Sequence, residues 1–139
     1  QRITRTLALT RFELPAHPAV EEQDAQIRSG ESIGATLRQA GWTVVKNKTT
    51  DCQVTAGRRF ALLGGSTLSP EAGVLLRVYS LSVLKGDLAI DYATIAEAYH
   101  CEHIAPSSEL PPADAVIASL AGSQALALTD LLTAMGQND

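Results

Sequence analysis

The sequence predicts a mixed α/β domain of the α+β kind, a two-layer sandwich in which a mostly antiparallel sheet carries two helices on one face. Three observations lead there. Two β-rich runs, 74–84 and 88–104, flank Lys85-Gly86-Asp87, a composition that suits a tight hairpin turn. Two segments, 19–40 and 113–136, place apolar residues at helical spacing. The order strand, helix, strand or strands, hairpin, helix lets a meander bury its apolar stripes under the two helices.

Each element has its own signature. In "ITRTLALTRFELP", Ile3, Leu7 and Leu9 alternate with Thr4, Thr6, Ala8 and Thr10, a strand with one apolar face that Pro15 and Pro18 end. The next segment opens with Glu21 and Glu22, favourably placed against a helix dipole, and Ile33, Leu37 and Ala40 share a face. Ser29-Gly30 predicts a kink or a division there, with Ser29 capping the second piece, and Gly41 a stop. Residues 42–63 follow as one or two strands headed by Trp42, Val44 and Val45, with a turn or bulge at Asn47-Lys48. "GGSTLSPEAG" and "APSSELPP" read as loops. The last helix collects Ile117, Leu120, Leu128, Leu131 and Met135 near one face and ends at Gly136.

The chain has 139 residues, 45% hydrophobic and 19% charged, which suits one globular domain spanning 1–139. Fifteen acidic against eleven basic residues give a net charge of −4 without a basic run, so no nucleic-acid footprint exists. The most apolar stretch, 115–129, is broken by Ser119, Gly122, Ser123 and Gln124 and falls short of the ~20 residues a bilayer span needs.

Reactive side chains crowd together only in "AEAYHCEHIAP". In an extended strand His100 and Glu102 share one face and Cys101 and His103 the other, so four adjacent ligands cannot surround one metal. Structural zinc wants four ligands in closely spaced pairs, which the chain does not offer elsewhere; neither metal nor cofactor is expected. His100 with Glu102 could act as an oriented general base, the core of an alternative reading as a small enzyme or ligand-binding domain to which Arg77 would add a polar group. Gly64-Gly65 lacks the lysine of a P-loop and the third glycine of a dinucleotide motif, and reads as a surface loop. Arg58-Arg59 reads as solvated strand edge. Cys52 and Cys101, 49 positions apart (52 to 101), both sit in strand-like surroundings. A bridge would constrain the unfolded chain by ~4 kcal/mol; two unrelated buried thiols are the other reading. Trp42, Tyr79, Tyr92 and Tyr99 supply most of the aromatic area and would serve as core or as a binding face.

The stretch "GESIGATLRQAGWTVVKNKTTDCQVTAG" resembles small periplasmic domains of bacterial envelope machinery: outer-membrane lipoproteins of the lipopolysaccharide-assembly type, and pilus and secretion domains that sit beside secretins, including the Q protein of toxin-coregulated pili. An amphipathic helix ending in "LRQAGWTVV" and running into an Asp-headed strand carries the likeness, over about a third of the chain. The resemblance implies a non-enzymatic component of the periplasm or outer membrane that binds a protein partner, or further copies of itself, in a secretion, pilus or lipoprotein assembly. Binding would use a sheet edge or the surface formed by Trp42, Gly64, Gly65 and Tyr79. The lipidated cysteine that opens a mature lipoprotein is not at position 1, so membrane association would need an anchor outside this sequence. An oxidising compartment favours the Cys52–Cys101 bridge.

Overall fold

The structure is a computed structural model that describes residues 6–63, 68–100 and 106–137. It has the expected class, an α+β arrangement around one antiparallel sheet. The elements run β1 (Thr6–Phe12), a 3-10 turn (Pro18–Val20), α1 (Glu21–Arg28), α2 (Ile33–Gln39), β2 (Thr43–Thr55), α3 (Gly57–Leu63), β3 (Gly73–Lys85), β4 (Leu88–Tyr99), α4 (Ala113–Ser119) and α5 (Gly122–Ala134). The sheet order is β1-β4-β3-β2 with every neighbour antiparallel. This is Greek-key connectivity: β2, β3 and β4 form a meander, and β1 lies beside the last of them.

That order forces the chain to cross the sheet. β1 and β2 are opposite edges, so the connection through α1 and α2 travels over one face at the end bearing the β3–β4 turn. There Val20, Ile27, Leu37 and Trp42 pack on Val83, Ile90, Tyr92 and Ala93. α3, α4 and α5 cover the other face toward the far end. Phe60, Val116, Leu128, Leu131 and Met135 pack there on Cys52, Val74, Leu76, Val78, Ala96 and Ala98. The helices therefore divide between both faces, where the sequence placed two on one. The cause is β3, whose residues of both parities are buried, as in a strand covered on both sides.

Local chemistry explains the boundaries. α2 ends in a Schellman motif: Gly41 is left-handed (φ +91°), its amide donates to Arg38 and the amide of Trp42 to Leu37. The accompanying apolar contact is Leu37 with Trp42, so the helix stop itself drives the indole into the core. Lys85 Nζ donates to the Ala40 carbonyl at 2.8 Å and stands 5.4 Å from the Trp42 ring. The division at Ser29-Gly30 is present, but Ser32 caps α2, accepting from the Ala35 amide, while Ser29 closes α1. The bulge lies between Asn47 and Thr50, with Lys48 left-handed at φ +53°.

Two assignments change. Residues 57–63 form α3 rather than strand, because left-handed Gly57 turns the chain out of β2 and Phe60 and Ala61 then bury on one helical side. The C-terminal helix is two, broken at Leu120-Ala121 and restarted at left-handed Gly122. The turn between β3 and β4 is two residues long, with left-handed Gly86 first, the type II′ preference.

Asp24 ties α1 to the sheet. It accepts from Tyr92 Oη at 2.7 Å and from Arg28 Nε at 2.9 Å, and Phe12 meets Tyr92 edge-on at 5.7 Å. Leu128 is fully buried and Leu126, two residues earlier on α5, is half exposed. Leu128→Ala is expected to cost about 2–5 kcal/mol in urea unfolding, and Leu126→Ala within about 0.5 kcal/mol of nothing.

Candidate functional site

Helical cover on this sheet is diagonal. α1 and α2 shield the turn end of one face, and α3 to α5 shield the far end of the other. Each face thus keeps one half without a helix packed on it among the described residues, and polar side chains gather on both halves.

The first open half lies at the far end of the α1–α2 face. Pairing register puts Ala8, Glu97, Arg77 and Asp51 in one row across all four strands. Tyr79 stands to one side of that row and Tyr99 to the other. Arg77 Nε and Nη2 donate to the two Asp51 carboxylate oxygens at 2.8 and 3.0 Å, a bidentate pair with both side chains about one-third exposed (36% and 31%). The hydrogen bond to Asp51 raises the guanidinium pKa further, so Arg77 is charged at any working pH. Its Cζ lies 5.8 Å from the centre of the Tyr99 ring, and Tyr99 Oη donates to Glu97 at 2.9 Å. Lys46 Nζ stands 4.9 Å from the Tyr79 ring. At that degree of exposure the ion pair adds little stability; its effect is to hold Arg77 in one orientation.

The second open half lies at the turn end of the α5 face. An open cleft of about 360 Å³ lies there, bordered by Glu13, Lys48, Ser80, Asp91, Thr94 and the start of α5 at Ser123 and Gln124. Asn47 Nδ2 donates to Ser82 Oγ, and Ser82 Oγ to Asp91 Oδ1, both at 2.9 Å. Gln124 Nε2 donates to the Lys48 carbonyl at 3.0 Å and to Ser80 Oγ at 3.1 Å.

The structure brings few of the sequence's site residues together. Trp42 (5% exposed) and Tyr79 (4%) are buried, the first by the Schellman stop of α2, the second against Leu81, Ile95, Ile33 and Val44. Of the intended binding surface, Gly64 and Gly65 lie outside the described residues, as do Cys101, Glu102 and His103 of the reactive cluster. His100 is closed to solvent at 1% exposure and does not border the cleft, so the general-base reading finds no access at that residue. Arg58 and Arg59 are exposed on α3, and Arg59 donates to the Thr133 carbonyl. Among the described residues no group of three metal-ligating side chains assembles, and no helix is long and apolar enough to cross a membrane. The sequence reading missed Asp51, Glu97 and Lys46. A period-two comparison of β2, β3 and β4 could have put these charges on one face with Arg77, had the register been known.

The β2 edge is guarded against strand addition. Lys46, Lys48 and the bulge disturb its first half. In its second half the Gln53 amide donates to the Pro111 carbonyl and Gln53 Nε2 to Leu110. An added strand would therefore find this edge interrupted in both halves.

Compared with protein-family models, curated proteins and solved structures, the chain matches none.

Cys52 is a buried free thiol opposite Leu76. Burial first, and then the charge of Asp51, push its pKa up from 9.0 to about 11. The thiolate is the reactive form, so iodoacetamide at pH 8 should modify native Cys52 about a hundredfold more slowly than in denaturant. A denatured sample that reacts only after reduction would instead place Cys52 in a bridge with Cys101. Burial, with Glu97 beside them, also raises Tyr79 and brings Tyr99 to about 12; burial and then Asp24 raise Tyr92. The unfolded chain sheds these protons near pH 10, before the folded one does. Their contribution is thus complete below pH 9 and declines as pH rises toward 12. Melting temperature should fall between pH 7.5 and 10.5, and Tyr92→Phe should shrink that fall while lowering stability by about 1 kcal/mol at pH 7.5.

Proposed function

We propose that this chain is a non-enzymatic protein-binding domain of a bacterial envelope assembly, working in the periplasm or at the outer membrane, and that it binds through the far end of the α1–α2 face. The observation that carries the reading is Arg77. It is about one-third exposed on a central strand, held bidentately by Asp51 and flanked by the Tyr99 ring. Arginine and tyrosine concentrate binding energy at protein interfaces, and a side chain already fixed in place loses less entropy when a partner arrives. The face mixes Glu97 and Asp51 with Arg77 and, farther along β2, Lys46, which suits a partner surface of mixed charge and disfavours a nucleic acid. The envelope setting rests on the resemblance of residues 30–57. The step that carries it is built here as α2, the left-handed Gly41 and β2.

Ala8 is exposed in the same row, and Ala118 is exposed on α4, away from it. A photo-crosslinking residue at position 8, in cells that make the protein natively, should trap one adduct of defined mass. Arg77→Ala should reduce that adduct at least tenfold. Equal trapping from position 118, or none from position 8, would overturn the assignment of the face. Fractionation that places the protein in the cytosol would remove the envelope part alone.

A further inference from the structure

We propose that the cleft at the turn end of the α5 face is a second, separate binding site, which takes a small dipolar ligand of dipeptide size, a free ammonium at one end and a carboxylate at the other. Its charges are segregated across the sheet. Glu13 continues β1 and Asp91 belongs to β4, whereas Lys48 belongs to β2. Two strand spacings, about 10 Å, separate β4 from β2. Asp91 stands opposite Ser82 while Lys48 lies between the partners of Ser80 and Val78, so the two are offset along the strands as well as across them, and a ligand that reaches both must carry its opposite charges about two residues apart at ~3.5 Å each. The volume, about 360 Å³, lies in the range of small-molecule sites.

The walls are held in place. Ser82, 8% exposed, donates to Asp91 and is itself anchored by Asn47. Lys48 is the one non-glycine with positive φ among the described residues. A lysine in that conformation is strained, and Gln124 from α5 holds its carbonyl there. Among the described residues neither Glu13 nor Asp91 has a basic partner, and Lys48 has no acidic one. These charges face a cleft instead of each other. With both Gln124 amide hydrogens engaged, its oxygen adds an acceptor beside the carboxylates, which strengthens the ammonium end. Thr94, 3% exposed, forms part of the floor.

The probe is alanyl-alanine, followed by two-dimensional amide NMR and calorimetry on the full chain. Saturable shifts at Ser82, Thr94 and Gln124 are expected. Asp91→Asn and Lys48→Ala should each weaken binding at least tenfold, with unchanged melting curves since both side chains are exposed. N-acetyl-alanyl-alanine, which lacks the ammonium, and alanyl-alanine amide, which lacks the carboxylate, should each bind at least tenfold more weakly. No saturable shift up to 10 mM on the order of a weak-site limit, equal binding of the acetylated probe, or insensitivity to Asp91→Asn would overturn the proposal. Because Arg77 lies on the opposite face, Arg77→Ala should leave this binding unchanged even where it abolishes partner capture.

Discussion

The burial of β3 on both faces is the constraint on which the other elements depend. Val74, Leu76 and Val78 point to one side, and Tyr79, Leu81 and Val83 to the other, so neither side can be left to water. Sitting second from the β2 edge, β3 pairs along nearly its whole length with both β2 and β4. A single layer of helices would leave one of its apolar stripes exposed. The chain meets the demand economically, by placing cover only where each stripe runs. The stripe that includes Val83 lies toward the turn end, and α1–α2 sits over it. The stripe from Val74 to Val78 lies toward the far end, and α3 to α5 sit over that.

What no helix covers is richer in polar groups for the same reason, although Leu75, beside Arg77 on that face, is buried as well. Where no helix lies above it, the sheet carries groups that tolerate water: Arg77 with Asp51 and Glu97 on one side, Ser82 with Asn47 and Asp91 on the other. Leu84 and Ala89, paired beyond the reach of α5, are exposed in turn. Each polar group is ordered by a neighbour on an adjacent strand. The meander thus supplies two preoriented surfaces facing opposite ways, and the proposed partner face and the proposed ligand cleft fall on different ones.

The candidate sites were less legible than the elements. Asp51, Arg77 and Glu97 are scattered over 46 positions (51 to 97), and only the register of three strands brings them into one row. Glu13, Lys48, Asp91 and Gln124 come from four different elements or their margins. The sequence drew attention to Trp42 and Tyr79 because aromatic residues serve equally well as core and as interface; burial decided for core at both positions. The "HCEH" run was conspicuous by chemistry alone, and His100, its one member among the described residues, is buried.

By itself the sequence determined the elements whose signals are local. The alternation of Leu7 and Leu9, the glycine stops at Gly41 and Gly136, the interruption at Ser29-Gly30, the bulge at Asn47-Lys48 and the turn at Gly86 all depend on residues close in the chain, so period and backbone preference suffice to place them. Only the tertiary structure decided that 57–63 is a helix, that the C-terminal helix breaks at Leu120, and that helices lie on both faces. Those outcomes depend on which strand neighbours which. A strand buried on both sides and one buried on a single side can share the same apolar run, and the difference appears only when the chain must cross from the β1 edge to the β2 edge and cover β3 on its way.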